Sequence, residues 1–218
     1  MESKYDVILF DLDGTLTNPF MGITKSVQYA LKHFGIEENN LESLKKFIGP
    51  PLKESFQEYY HFDDIMATKA IEKYREYFSV TGIFENLVYF GIPELLEELD
   101  KWGKKLVVAT SKPTVFAEKI LMHFGLDNFI CFTVGSNLDG SRVKKGEVIS
   151  YALNYGGFRS NMKIVMVGDR KHDIIGAKEN GIDSIGVLYG FGSRSELEFQ
   201  GPTGIAEDVK SLKLMLLE

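Results

Sequence analysis

The chain of 218 residues carries a single cysteine, Cys131, so it can form no internal disulfide. That thiol lies in Phe129-Ile130-Cys131-Phe132, an apolar stretch in which a buried, inert sulfur is expected. A cysteine-based phosphate site would need an arginine six residues later, and Asn137 stands there. Histidine is scarce as well: His33, His61, His123 and His172 offer no pair at metal-ligand spacing. There is no excess of positive charge. Lysine and arginine number 25 against 31 acids, a net charge of −6 that argues against nucleic acid or an anionic membrane as the main partner. No apolar run approaches a membrane span, and Met1-Glu2-Ser3-Lys4 enters the first apolar stretch without a signal-peptide core, so a cytoplasmic location is expected. Internal repeats and low-complexity tracts are also lacking.

A hydrophobic content of 44% fits one good core plus a smaller module. Tyr5-Asp6-Val7-Ile8-Leu9-Phe10 reads as a strand covered on both faces, and it runs directly into Asp11-Leu12-Asp13-Gly14-Thr15-Leu16. Residues 17–81 hold only helical patterns: Ile23, Val27, Ala30, Leu31 and Phe34 share a face ahead of Gly35, and Gly49-Pro50-Pro51 separates two further helices. A longer helix, capped by Asp63-Asp64, runs to Phe78. Residues 82–91 read as an irregular linker. Beyond it, strands at 105–109, 129–134, 163–167 and 184–188 alternate with helices at 94–102, 114–124, 146–155, 173–180 and 208–217. The fold class is therefore α/β, a parallel sheet wound by right-handed crossovers with helices on both faces. The expected division is a core of residues 1–16 and 83–218, interrupted by an all-helical cap of residues 17–82.

Open parallel sheets bind ligands beyond the carboxyl ends of their strands, and Asp11, Asp13, Thr110, Ser111 and Asp169 all fall there. Two carboxylates as close as Asp11 and Asp13 repel by about 4 kcal/mol at 4 Å with an effective dielectric near 20, so a cation should await them. Gly14 would let the backbone turn away, and Thr15 would pin that turn by hydrogen bonding. Thr110-Ser111-Lys112-Pro113-Thr114 carries the chain from a strand into a helix N-terminus, which favours anions. Lys144 and Lys145 compete for a similar place before a later helix. Asp173 follows Asp169 by about one helical turn and can face the same cluster.

Taken in order, the first acidic motif, the hydroxyl pair, the later lysine and Gly168-Asp169-Arg170-Lys171-His172-Asp173 resemble the four motifs of the haloacid dehalogenase-like hydrolase superfamily. Within it, Gly22-Ile23-Thr24-Lys25-Ser26 and Ile48-Gly49-Pro50-Pro51-Leu52 look most like the phosphoglycolate phosphatase branch. The resemblance implies a Rossmann-like core, an inserted helical cap and a Mg²⁺-dependent phosphatase acting on a small phosphorylated metabolite. On this pattern Asp11, an exposed carboxylate on a rigid strand end, is the nucleophile that forms an aspartyl phosphate, and Asp13 is the general acid and base. Lys145 fits the family's lysine-before-helix arrangement better than Lys144, and would bind phosphate with Thr110 and Ser111. Mg²⁺ would take Asp11, the Asp13 backbone carbonyl and Asp169, with Asp173 in support, although which of the last two acids touches the metal varies in the family.

Several alternatives stay open. A nucleotidase or a pyrophosphatase would share every motif. A sugar phosphomutase usually carries a histidine soon after the first motif, and His33 lies too far along. A non-catalytic binding protein usually lacks a nucleophile or metal acid, and none is missing. If the substrate carries a carboxylate, Lys25 or Lys53 in the insert could meet it. The chain would be a monomer or a homodimer.

Overall fold

The computed structural model describes residues 4–217. β1 (Val7–Phe10) is four apolar residues with no exposure at all, as a strand covered on both faces requires. The chain then passes through β2 (Thr17–Asn18), α1 (Phe20–His33), α2 (Leu52–Tyr60), α3 (Asp64–Phe78), β3 (Leu87–Val88) and α4 (Ile92–Lys101). It continues through β4 (Lys105–Pro113), α5 (Thr114–Phe124), β5 (Phe132–Ser136), α6 (Lys145–Gly156), β6 (Ile164–Gly168), α7 (Lys171–Glu179), β7 (Asp183–Val187), α8 (Arg194–Gln200), β8 (Gly204–Ala206) and α9 (Val209–Leu217). Two compact units result, Met1–Thr17 with Val88–Glu218, and Asn18–Leu87.

In the larger unit six parallel strands stand in the order β5-β4-β1-β6-β7-β8. One face of the sheet is closed by helices: Val7 and Leu9 of β1, Val107 and Ala109 of β4 and Met166 of β6 pack with Val148, Ile149 and Ala152 of α6 and Ala177 of α7. Alternate strand residues supply that face, as the two-residue period of a strand demands. The order reverses at β1, where successive crossovers depart to opposite sides, and such a point opens a crevice at the strand ends.

The smaller unit is helical, with a core of aromatic rings: Phe47, Phe56 and Phe62 are all buried, and Phe56 lies 5.0 Å from Phe47 and 5.8 Å from Phe62 between ring centroids. Asp63 caps α3 by accepting the Met66 N–H at 2.7 Å. Residues 41–47 tighten into a 3₁₀ turn instead of an α-helix.

The structure corrects several sequence expectations. β4 does not stop at Ala109 but continues through Thr110 to Pro113, with a register shift against β5 over that stretch. Cys131 is exposed, because a 3₁₀ turn at Asp127–Phe129 delays β5 until Phe132 and leaves the thiol outside the strand. Residues 17–18 and 87–88, expected to be free of strand, pair as a two-stranded sheet. The sheet also has a sixth strand and the chain an extra helix. β8 is only three residues long, and α8 buries only Leu197, so neither carries a legible apolar period. Among the described residues no helix is long and apolar enough to cross a membrane.

Packing of this kind makes the aromatic core of the smaller unit sensitive to cavities. Phe56→Ala should cost about 3–5 kcal/mol, read from the urea midpoint of the smaller unit's unfolding. A loss below about 1 kcal/mol would show that the ring is not packed as described.

Candidate active site

Three neighbouring strands bring the predicted residues together. β1 lies between β4 and β6, with Phe10 level with Val108 on one side and Val167 on the other. Asp11 therefore leaves the sheet beside the end of β6, and its N–H donates to the Val167 carbonyl at 2.9 Å. Two residues past Val167 comes Asp169, and α7 then carries Asp173 back toward the same place. One carboxylate oxygen from each of Asp11, Asp169 and Asp173 lies within 4.8 Å of the other two. All are buried, Asp169 and Asp173 completely, and Asp11 is only 6% exposed where an exposed nucleophile was expected. The turn after Asp11 folds over it: Leu12 and Leu16 are in the core, and Gly14, at φ +88°, sits against the Asp169 carboxylate.

Lys145, and not the exposed Lys144, enters this cluster. Its ammonium reaches Asp11 Oδ1 at 2.8 Å and Asp173 Oδ1 at 3.0 Å, and donates to the Ala109 carbonyl at 3.1 Å. Asn180 steadies that placement, donating from one amide nitrogen to the carbonyls of Gly146 in α6 and Gly176 in α7. Asp11 Oδ1 also accepts the Leu12 N–H at 2.8 Å, which fixes the plane of the carboxylate. Asp173 serves twice, since its Oδ2 accepts the Arg170 N–H at 3.0 Å as an N-terminal helix acid would.

A second buried lysine, overlooked in the sequence, completes the arrangement. Lys112 meets Asp13 Oδ2 at 2.6 Å with 6% of its side chain exposed. Thr110 lies at its base, its hydroxyl accepting the Lys112 N–H at 3.3 Å, and Ser111 is half-buried between them. The signal was Lys112 itself, two residues beyond a strand end, at a place where a solvent-facing lysine is the ordinary reading. Asp13 Oδ1 is buried and has no hydrogen-bond partner. Thr15 pins the turn as expected, through its backbone: its N–H donates to the Leu12 carbonyl and its carbonyl accepts from the Tyr189 hydroxyl at 3.1 Å, while its hydroxyl is buried and unpaired.

Burial raises the pKa of Asp13 even against the opposing pull of Lys112. Asp169 is driven well above the carboxylate range by burial, reinforced by the charges of Asp173 and Asp11. Asp173 is pushed up to about 6, by burial first, although Lys145 pulls the other way. Burial also works against the charge on Lys145, but Asp11 and Asp173 outweigh it and keep the ammonium protonated. Four buried carboxylates thus face two ammonium groups, an excess of two acids over cations at which the raised pKa values of Asp13, Asp169 and Asp173 favour protons.

Residues 8–187 match the family model of the haloacid dehalogenase-like hydrolases. The chain belongs to that family. It is one of the family's phosphatases, as the phosphatases among its relatives support. A 5′-nucleotidase from Pseudomonas aeruginosa is 50% identical over 98% of this chain and 96% of its own length. The tyrosine-protein kinase PtkA of Mycobacterium tuberculosis is 38% identical over 85% of this chain but 63% of its own length. A phosphoglycolate phosphatase from Colwellia psychrerythraea is 25% identical over 97% of this chain and 96% of its own. Among solved structures, that of a predicted phosphatase from Clostridium acetobutylicum superposes with a TM-score of 0.93 at 52% identity, covering 96% of this chain and 97% of that one.

The raised pKa of Asp173 sets a direction for stability. With a folded value of about 6 against an unfolded value of about 4, the folded phosphatase binds more protons across that window, so the group's contribution shrinks as pH rises through it. Relative to Asp173→Asn, the metal-free wild type should lose stability between pH 4.5 and 6.5 in urea titrations. Parallel profiles for the two proteins would contradict the assignment.

Proposed function

We propose that this phosphatase is Mg²⁺-dependent, that Asp11 carries the phosphoryl group as an aspartyl phosphate, and that its substrates are nucleoside 5′-monophosphates. The observation that carries the reading is the buried cluster of four carboxylates held by two lysines, one lysine on each member of the first acidic pair.

In the first half-reaction the Asp11 carboxylate attacks phosphorus in line, the bond to the ester oxygen breaks, and the protonated Asp13 carboxyl gives its proton to the leaving alkoxide. In the second, the Asp13 carboxylate takes a proton from water as that water attacks the aspartyl phosphate, releasing inorganic phosphate and restoring Asp11. Lys145 fixes the attacking carboxylate and offsets charge gathering around it, while Lys112 fixes the proton carrier. Thr110 and Ser111, in the extension of the neighbouring strand β4, would serve as phosphate donors. A raised Asp13 pKa favours the protonated form that the first step needs.

The donor set suits Mg²⁺. Its oxygens come from carboxylates, one of them is the buried and unpartnered Asp169 Oδ1, and the two acids in excess of the lysines, once ionised, would match a divalent ion. Asp11 and Asp169 would hold it together with the Asp13 carbonyl, and Asp173 stands close enough to support it. The Asp13 side chain is outside that group and is paired with Lys112, so its backbone carbonyl is the atom we assign to the metal. When bound, Mg²⁺ would stabilise negative charge on the phosphoryl oxygens.

Nucleoside monophosphates are favoured over 2-phosphoglycolate by twofold greater identity to the nucleotidase than to the phosphoglycolate phosphatase. The insert agrees. Of the two lysines that could meet a substrate carboxylate, Lys25 is engaged by Glu85, which also accepts the Tyr77 hydroxyl, and Lys53 pairs with Asp64 at an exposed position.

A phosphate-release panel with Mg²⁺, and with EDTA as control, should give the highest kcat/KM for a nucleoside 5′-monophosphate and background rates under EDTA. Faster turnover of 2-phosphoglycolate would overturn the substrate assignment, and full activity in EDTA the metal. Asp11→Asn should fold and abolish turnover. Lys112→Met should lower kcat by about 10- to 100-fold with little change in KM, part of the 10²–10⁴ expected from general acid–base catalysis. A change confined to KM would make Lys112 a substrate contact instead.

A further inference from the structure

The segment Tyr189-Gly190-Phe191-Gly192, between β7 and α8, belongs to none of the four family motifs, yet it packs against two of them. The Phe191 N–H donates to Asp169 Oδ2 at 2.7 Å. That bond consumes one oxygen of the carboxylate and leaves the other, Oδ1, buried and unpartnered. Gly190 and Gly192 permit the approach. A Cβ on Gly190 would stand 2.3 Å from the Gly14 carbonyl oxygen and 2.4 Å from Asp169 Cβ, and one on Gly192 would stand 1.9 Å from the Asp169 carbonyl oxygen. Real Cβ atoms do not come so close to backbone, so any side chain at either position must push the segment off Asp169.

Both ends of the segment are anchored. At the first, Tyr189 donates its hydroxyl to the Thr15 carbonyl and packs edge-on against Tyr89, with 5.0 Å between ring centroids. At the second, Ser193 caps α8, and Glu196 one turn later accepts from both the Arg170 side chain and the Lys171 N–H at 2.9 Å. Asp169 is therefore bracketed, with the turn after Asp11 on one side and the start of α7 on the other.

We propose that residues 189–192 are a positioning segment that determines which oxygen of Asp169 is offered to the metal, and thereby the affinity for Mg²⁺. The inference rests on the Mg²⁺ reading given above. The Phe191 amide occupies Oδ2 and leaves Oδ1 as the oxygen free for a metal, and the Tyr189 hydroxyl ties the Asp11 turn to the same segment. Partners of metal ligands commonly change metal affinity by about 10- to 100-fold when removed.

The test is Mg²⁺ binding by isothermal titration calorimetry on the full chain without substrate, for wild type, Gly190→Ala, Gly192→Ala and Tyr189→Phe, with thermal melts of each. The two alanine variants should bind Mg²⁺ about 10- to 100-fold more weakly. Their kcat should return toward the wild-type value as Mg²⁺ is raised to saturation, which a merely structural defect would not allow. Tyr189→Phe changes only a hydroxyl, so it decides the matter if the alanine variants fail to give a cooperative melt, and it too should weaken Mg²⁺ binding. Folded variants that bind Mg²⁺ as tightly as wild type would overturn the proposal. A wild type that binds no Mg²⁺ would overturn the metal reading and this inference with it.

Discussion

Everything in the larger unit answers to one electrostatic constraint, the confinement of four carboxylates at the ends of two adjacent parallel strands. Asp11 and Asp13 follow β1, Asp169 and Asp173 follow β6, and the register of the two strands leaves them no room to separate. At an effective dielectric near 20, each close pair of such charges costs about 4 kcal/mol at 4 Å, a large share of the stability of an ordinary domain. The relief comes from both sides of β1. Lys112 arrives from the extension of β4, and Lys145 from the start of α6, where it answers Asp11, Asp173 and a strand carbonyl together. Beyond the two ammonium groups, burial raises the pKa values of Asp13, Asp169 and Asp173, which favours protons on the cluster and so lowers its charge. Any cation entering the site must displace some of them, so metal affinity and pH are coupled by construction.

The same constraint explains why the backbone around the cluster is so closely fitted. A carboxylate with freedom to rotate would turn toward solvent or toward the nearest lysine. Here each acid has at least one oxygen tied to a neighbour: Asp11 to the Leu12 amide, Asp13 to Lys112, Asp169 to the Phe191 amide and Asp173 to the Arg170 amide. Backbone N–H groups suit this task because they are fixed by the fold and lose no side-chain entropy when they bond. The cost is close approach, met by glycine at Gly14 and in the segment over Asp169.

How much of this was legible beforehand varied with the kind of signal. Strand ends were easy to find, since Val7–Phe10 and Ile164–Gly168 are apolar runs that stop at acids, and the α/β alternation followed from their spacing. Sheet order was not readable from spacing, yet it is what makes β4, β1 and β6 neighbours. Single residues without a pattern were lost. Lys112 looks like any lysine in a turn until the extension of β4 points it at Asp13, and the glycines of 189–192 look like loop punctuation until Asp169 is seen beneath them. Cys131 differs from its expectation because local hydrophobicity says little about where a side chain points once the start of a strand shifts, here to Phe132.

The imbalance of charge also separates this cluster from an ordinary buried ion-pair network. A network kept for stability tends toward neutrality, because every unmatched buried charge is expensive and breaking or lacking one partner costs several kcal/mol. In this phosphatase the lysines are distributed unevenly. Asp11 and Asp13, the pair proposed to do chemistry, each have a permanent ammonium partner, whereas Asp169 has none and relies on an amide. The covalently fixed cations thus hold the two carboxylates proposed to react, and Asp169, the acid without a lysine, is left to a proton or to the proposed Mg²⁺. Selection for stability alone would have replaced Asp169 or supplied a third lysine. That it remains buried, with one oxygen unsatisfied, is what the proposed Mg²⁺ site would require and what folding alone does not.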